Sequence, residues 1–120
     1  MENNKKTNKD FSNDTFVDIK DNDFYHLYNL LAYIKSPEEV KLLLDDLCTY
    51  KELEYLHQRV NSAIMLLNGS TYQQVSENVD NISTATLSRV SRCIKHGSGG
   101  YSKVLKDYLV NDKKENNDEN

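Results

Sequence analysis

TYQQVSENVDNISTATLSRVSR, residues 71–92, decides the fold of this chain. Its first half predicts a short helix, because Thr71 and Gln74 have the T-x-x-Q spacing of a capping box. Val75 and Val79 lie four residues apart and therefore share one face of that helix. The first half of the stretch is thus read as a short helix with one apolar face.

The second half of the stretch predicts a tight turn and a second helix. Asp80 and Asn81 interrupt the apolar pattern, and Asn tolerates the left-handed backbone of a tight turn. The second helix is expected to begin at Ser83 or Thr84. Two helices joined by a short turn form a helix-turn-helix, which we predict over residues 71–96. The alternative is an ordinary helical hairpin packed in a core.

The second helix carries side chains suited to contact with DNA. Small hydroxylated residues at its start can approach base edges in a major groove, and arginines follow where phosphates would lie. The residues predicted to face bases are Ser83, Thr84, Ala85 and Ser88. Those predicted to serve phosphates or orientation are Arg89, Ser91 and Arg92. A helix that only packs has little use for so many hydrogen-bonding groups, which favours DNA binding.

Length and composition favour one helical domain, over residues 23–110. The 120 residues include one proline and four glycines, which suits helix better than sheet. The N-terminal sequence lacks the apolar core of a signal peptide, and no apolar run approaches the roughly 20 residues that span a bilayer. We therefore expect a cytoplasmic protein with no membrane partner. Cys48 and Cys93 are expected to be reduced thiols, with a disulfide between them as the alternative.

The distribution of charge supports DNA as a partner. The whole chain has a net charge of −4, which argues weakly against that role. Residues 71–110 nevertheless hold five basic and three acidic residues, a net charge of +2, and they form the one basic region of the sequence. This is the sign expected of a phosphate-facing surface. Because the excess is small, two copies of the motif would bind DNA better than one.

Disordered tails are predicted at both ends, over residues 1–22 and 111–120. The first has only scattered apolar positions and the second has none, so neither can offset its ordering entropy by burial. Apolar spacing and capping residues predict four more helices between the tails. Their expected ranges are Asp23–Lys35, Pro37–Leu47, Tyr50–Asn68 and Tyr101–Leu109. The fold class is thus all-α with six helices, and surplus apolar and Tyr surface on the first favours a homodimer.

Three stretches carry a resemblance to a known family. They are DDLCTYKELEYLHQRV at 45–60, the helix end Leu67-Asn68-Gly69, and STATLSRVSRCIKHG at 83–97. Together they resemble the Trp repressor superfamily, and more closely its YerC/YecD group of bacterial Trp-repressor-like proteins. The resemblance covers residues 23–109. It implies an intertwined homodimer that binds double-stranded DNA as a transcriptional regulator, with repression as the expected mode.

The resemblance also implies an altered effector pocket. In the Trp repressor the indole lies between two arginines, with threonines nearby. The positions of this chain that match the pocket are Thr49, Arg59, Thr86, Arg89, Val90 and Cys93. Val90 replaces a glycine and Cys93 replaces a serine, and the Val90 isopropyl group would fill much of a flat aromatic slot. We therefore expect no tryptophan corepressor. The sequence leaves open whether another small molecule acts as the effector. Arg59 and Arg89 would alternatively contact phosphates, form bridges to a partner subunit or have structural roles.

The turn, residues 79–83, is expected to be one residue longer than in the resembling group.

No enzymatic site is predicted, because the three histidines form no metal-ligand pattern and no glycine-rich loop follows a strand. We accordingly expect no catalytic residue, no metal and no cofactor. Two functions remain. One is a sequence-specific DNA-binding regulator; the alternative is a dimeric protein–protein adaptor with a degenerate helix-turn-helix.

Overall fold

The computed structural model describes residues 24–119 of the chain, and six α-helices with one π-helical segment lie within them. The helices are α1 (Tyr25–Tyr33), α2 (Pro37–Leu47), α3 (Tyr50–Leu67), α4 (Tyr72–Asn78), α5 (Thr84–His96) and α6 (Lys106–Glu119), with the π-helical segment at Gly100–Leu105. The predicted all-α class is confirmed for this part of the chain. The disordered tail predicted at residues 1–22 lies outside the described residues.

The helix boundaries follow local hydrogen bonds that the sequence predicts. The Thr49 Oγ1 accepts from the Glu52 amide at 3.1 Å, and the Glu52 Oε1 accepts from the Thr49 amide at 2.8 Å, so that α3 begins at a complete capping box. The Ser36 Oγ accepts from the Glu39 amide at 3.2 Å at the start of α2. Gly69 follows the end of α3 with a φ of +96°, which its missing Cβ allows.

The chain divides into two units, one ending at Leu43 and the other beginning at Leu44. In the first unit, α1 contains no buried residue, and its large apolar and aromatic side chains are 42–74% exposed. The Tyr25 and Tyr28 rings pack edge to face, with their centroids 5.3 Å apart. α2, which crosses the boundary, contains no buried residue either. The single domain predicted over residues 23–110 stays a prediction.

The second unit contains a small core that supports the helix-turn-helix. Val75 of α4 and Val79, which directly follows α4, are buried together with Leu87 of α5. The half-buried residues that pack against this cluster are Met65, Leu66 and Ile82. Each large apolar side chain removed from water contributes about 1.5–3 kcal/mol. The end of α3, α4 and α5 are therefore held together by side chains from all three helices.

The segment before α6 differs from the prediction. An α-helix was expected from Tyr101, whereas the structure has π-helical residues Gly100–Leu105. Gly99, with a φ of +107°, begins this segment, and its carbonyl accepts from the Lys103 amide at 2.9 Å and from the Val104 amide at 3.2 Å. The turn is wider than in an α-helix because the Gly99 carbonyl accepts from Val104, five residues later, as well as from Lys103. The spacing of apolar residues along the sequence carries no signal of this shared hydrogen bond.

The C-terminal segment also differs, since α6 continues to Glu119 where a disordered tail was predicted for residues 111–120. The prediction rested on the absence of apolar residues to bury. It left out local side-chain pairs, such as the Asn111 Nδ2 that donates to the Asp107 Oδ2 at 3.2 Å one turn away. Such pairs favour helix without burial, each by a few tenths of a kcal/mol.

Candidate nucleic-acid interface

Hydrogen bonds within the helix-turn-helix define its first helix and its turn. The Thr71 Oγ1 accepts from the Gln74 amide at 3.1 Å, and the Gln74 Oε1 accepts from the Thr71 amide at 2.8 Å. Asn81 adopts a φ of +64°, the left-handed conformation that tight turns use. The Ile82 amide donates to the Val79 carbonyl at 3.4 Å. The predicted capping box and turn residue are therefore confirmed.

The second motif helix, α5, begins at Thr84 behind a serine cap. The Ser83 Oγ accepts from the Thr86 amide at 3.0 Å and donates to the Thr86 Oγ1 at 2.9 Å. A lone pair of the Ser83 Oγ is left to accept from a further donor. At the other end, a side chain at Gly97 would collide with the Cys93 carbonyl. The close approach of the chain at the C-cap of α5 therefore favours glycine there.

Six of the seven predicted DNA-contacting residues are exposed, five of them along one side of α5 and the sixth at its N-cap, and we call these six the recognition face. Its members are Ser83, Thr84, Ala85, Ser88, Arg89 and Arg92, and all six are exposed. Ala85, Ser88 and Arg92 follow one another at spacings of three and four residues, so they form one stripe along the helix. The recognition face thus has hydroxyl groups at its start and guanidinium groups one and two turns later.

Ser91 does not belong to the recognition face. It is only 8% exposed, because it lies four residues after the buried Leu87 and directly after the buried Val90. Such burial disfavours direct contact with DNA. The role of Ser91 at phosphates stays a prediction.

The charge of α5 is basic throughout. The helix TATLSRVSRCIKH contains no acidic residue, and its last turn carries Lys95 and His96. Cations suit this end, where the helix dipole is negative. Lys95 is exposed like Arg89 and Arg92. The protein is acidic overall, yet the charged side chains of α5 are all positive. Such a surface attracts phosphates.

Gln58 of α3 contacts the turn from outside the motif, and the sequence analysis missed it. Its Nε2 donates to the Asp80 carbonyl at 3.2 Å, and the residue is only 3% exposed. The Ser62 Oγ donates to the Gln58 carbonyl at 2.6 Å. The sequence carries no signal of this contact, because a glutamine in a long helix does not reveal a partner 22 residues away.

Two of the predicted effector-pocket residues share a polar cavity of about 320 Å³. Arg59 of α3 and Thr86 of α5 both lie in its wall. Its other lining residues are Lys51, Glu54, Tyr55, Gln58, Asn81 and Ser83. The cavity thus combines charged groups of α3 with hydroxyl groups at the start of the recognition face.

The other predicted pocket residues lie elsewhere. Cys93 lines a separate, more apolar cavity of about 530 Å³, together with Val60 and Tyr101. Thr49 lines neither of these two cavities, and its hydroxyl caps α3. Val90 lines neither cavity and is 1% exposed. The described chain therefore does not gather the six predicted pocket residues around one cavity.

Tyr101 brings several of these groups into one electrostatic neighbourhood. Burial raises the pKa of its hydroxyl above the ordinary value, Cys93 raises it further, and Arg59 and Arg89 act in the opposite direction. The phenol is therefore protonated at neutral pH, as an ordinary tyrosine is, and the shift moves its ionisation to still more alkaline pH. The sequence predicted Tyr101 only as an apolar position of the last helix. Its neighbours depend on how the π-helical segment packs against α5.

The described residues also limit other kinds of site. Within residues 24–119, no group of three or more His, Cys, Asp or Glu side chains is arranged to hold a metal ion. Across the same residues, none of the helices combines the length and the apolar character needed to cross a membrane. Cys48 and Cys93 are both half-buried and are not joined by a disulfide, and their reduced state stays a prediction.

The fold and the motif agree with a known family, since the model of the family described as Trp repressor protein matches residues 22–109. The chain belongs to the Trp repressor family. Its match begins before α1 and ends within α6, so it includes the helix-turn-helix together with α1 and α2. The family assignment predicted from three short stretches is thereby confirmed.

Two relatives place the chain within the Trp repressor family. The "Uncharacterized protein YerC" of Bacillus subtilis (strain 168) is 42% identical over 79 residues, which are 66% of this chain and 75% of YerC. The crystal structure of "a putative Trp repressor from Staphylococcus aureus" superposes with a TM-score of 0.67 at 32% identity. That superposition covers 72% of this chain and 85% of the other. The predicted resemblance to the YerC group and the Trp-repressor-like fold are both confirmed.

Proposed function

We propose that this protein is a sequence-specific, DNA-binding transcriptional regulator that acts as a homodimer, with repression as its mode. The observation that carries the proposal is the recognition face of α5. Five exposed residues that suit base edges and phosphates lie on one side of this helix and Ser83 caps its start, while Leu87 and Val90 anchor its other side. A helix that only packed in a core would not keep hydroxyl and guanidinium groups in solvent.

The chemistry of the recognition face supports a division of labour along α5. The Ser83 Oγ keeps an accepting lone pair, which suits an amine of adenine or cytosine in the major groove. Thr84, Ala85 and Ser88 are small enough to let the helix approach base edges. Arg89 and Arg92 are placed to bind phosphates, which fix the register of a protein on DNA.

The homodimer is supported by the burial pattern of the first unit. Neither α1 nor α2 contains a buried residue, and an apolar helix of nine residues is not stable alone in water. We propose that the helices predicted at Asp23–Lys35, Pro37–Leu47 and Tyr50–Asn68 form the interface with a second copy. Two copies also present two recognition faces, as DNA with two half-sites requires.

Tryptophan is not proposed as the corepressor. The residues that match its pocket in the resemblance do not surround one cavity in the described chain, and Val90 is itself buried. The polar cavity beside Arg59 and Thr86 leaves a different small-molecule effector as part of the proposal. A ligand there would act only if it bound one arrangement of α5 better than another.

The second candidate is a dimeric protein–protein adaptor with a degenerate helix-turn-helix. The observation that favours it is the net charge of −4, which repels DNA at long range. Exposed apolar side chains on α1 would then serve other proteins as well as a second copy. The two candidates differ in whether duplex DNA is bound with a dependence on salt.

The deciding experiment selects duplexes from a random pool with the purified full-length chain. The dissociation constants of a selected duplex and of its scrambled control are then measured at three salt concentrations. A regulator binds the selected duplex about 10³-fold more tightly or better, and log K falls linearly with log salt. Equal and negligible binding to both duplexes at every salt concentration would leave only the adaptor.

A further inference from the structure

The turn between α4 and α5 is joined to α3 by one buried side chain. The Gln58 Nε2 donates to the Asp80 carbonyl at 3.2 Å, and Gln58 is 3% exposed. We propose that Gln58 is a positioning residue that orients the recognition face by holding this turn. The inference rests on the DNA-binding function proposed above, and it names a residue of α3 on which base discrimination depends.

The backbone of Gln58 lies in a part of α3 that is fixed by burial. The Ser62 Oγ donates to the Gln58 carbonyl at 2.6 Å, and Ser62 is fully buried. Ala63, the next residue, is also fully buried, so this part of α3 has little freedom to move. The carboxamide of Gln58 therefore transmits the position of a packed helix to the turn.

The turn has reason to depend on such a contact. Asn81 adopts a left-handed φ of +64°, which is uncommon for residues other than glycine. The bond from the Ile82 amide to the Val79 carbonyl is long, at 3.4 Å, and a bond of that length is weak. The hydrogen bond to the Asp80 carbonyl comes directly before the left-handed residue and fixes the peptide group there.

The turn matters for recognition because α5 begins four residues after Asp80. Ser83 caps α5 and Thr84 is its first residue, so a shift at Asp80 reaches Ser83 through only two intervening residues. Hydrogen bonds to bases tolerate only a few tenths of an ångström. Loss of the Gln58 contact is therefore expected to reduce discrimination between bases more than attraction to phosphates.

The test uses Gln58→Met, which keeps an unbranched side chain of similar length and removes the donor. The matched control is Ser62→Ala, which removes a buried hydrogen bond within the same part of α3 and leaves the Gln58 amide in place. Urea unfolding first establishes that both variants are folded. Two further readouts follow for each: hydrogen exchange at the Ile82 amide, and the ratio of dissociation constants for the selected duplex and a duplex with one base pair changed.

We expect Gln58→Met to accelerate exchange at Ile82 about fivefold to tenfold and to lower the discrimination ratio by a similar factor, as the loss of one neutral hydrogen bond allows. Affinity for a scrambled duplex should be unchanged. Ser62→Ala should alter neither readout, although its stability falls. Equal effects of the two variants would mean general destabilisation and would overturn the proposal.

The two readouts also separate this proposal from the proposed function. Unchanged exchange at Ile82 in Gln58→Met overturns the role of Gln58 in holding the turn, whatever the DNA measurements give. Faster exchange with unchanged discrimination overturns its role in recognition. If the unmodified chain binds no duplex, the DNA-binding function fails, and the exchange experiment still decides whether Gln58 holds the turn.

Discussion

The first helix and the helix-turn-helix of this protein differ in how their apolar residues are buried. α1 buries none of its residues, although it carries three leucines and three tyrosines. α4 and α5 are more polar, yet Val75, Val79 and Leu87 form a closed cluster between them. The more apolar region is thus the one left incomplete in a single chain.

This difference teaches that apolar content and burial report different properties. The helix-turn-helix needs only a few apolar residues, because α3 packs against it within the same chain. The surface of α1 has no such cover in its own unit, and large exposed apolar patches mark interaction sites. A second copy of the chain is the cover that we propose. Four predictions test the contrast, in order of decreasing effect.

The largest expected effect comes from truncating the core of the motif. Leu87→Ala should cost about 2–5 kcal/mol of unfolding free energy, because it removes buried methyl groups and leaves a cavity. The matched control is Leu30→Ala on α1, where the side chain is 42% exposed. Urea unfolding at two protein concentrations measures both. Leu30→Ala should show a loss that depends on concentration, as burial between copies requires.

An equally large, concentration-independent loss for Leu30→Ala would break the contrast, because it would mean that α1 is packed within its own chain.

The second prediction concerns assembly. Sedimentation equilibrium should show a dimer at micromolar concentration, and Leu31→Asp should raise its dissociation constant by about 30-fold or more, equivalent to roughly 2 kcal/mol. Tyr72→Asp introduces the same charge on α4, outside the proposed interface, and should leave the dimer intact. A folded monomer of the unmodified chain at micromolar concentration would contradict the prediction.

The third prediction sharpens the contrast within α5 itself. Replacing Thr84 should change base preference by about 1–3 kcal/mol at one position of each half-site. Arg92→Ala should instead weaken binding to every duplex and reduce the salt slope by about one unit per site. Binding isotherms for a set of single-base variants of the selected duplex measure both effects.

The buried Ser91 supplies the control for this pair. Ser91→Ala should change neither base preference nor salt slope, since the residue is only 8% exposed. If Thr84 and Arg92 substitutions had the same effect on all sequences, the division between base readout and phosphate contact would be wrong.

The smallest expected effect concerns tryptophan. We predict that tryptophan at millimolar concentration neither binds nor alters DNA affinity, because the buried Val90 side chain stands where the ligand would need space. Titration calorimetry and DNA binding with added tryptophan measure this. Val90→Gly should loosen α5 and weaken DNA binding, whereas Val90→Ala, which retains a good helix former, should do so less. Heat of tryptophan binding to the unmodified chain would refute the prediction about tryptophan. Unchanged DNA affinity in Val90→Gly would refute the predicted role of Val90.

Local chemistry made much of this protein predictable from sequence. The capping boxes at Thr49 and Thr71, the Ser83 cap and the left-handed Asn81 all depend on groups within a few residues of one another. Such short-range hydrogen bonds define where helices begin and turn, so the bounds of α2 and α5 agree with the prediction. The exposed members of the recognition face follow from the same helical periodicity. The inward position of Ser91 was also contained in its spacing from Leu87, but its polar side chain suggested the opposite side.

Tertiary structure decided the features that join distant parts of the chain. Gln58 meets Asp80 across 22 residues, and Tyr101 lies within the electrostatic influence of Arg59, Arg89 and Cys93 because the π-helical segment packs against α5. The predicted effector residues likewise separate into two cavities. Periodicity places a side chain on a face of its own helix, whereas the partner of that face depends on how the helices cross. The sequence therefore determined the helices and the recognition face, and packing determined what holds that face in position.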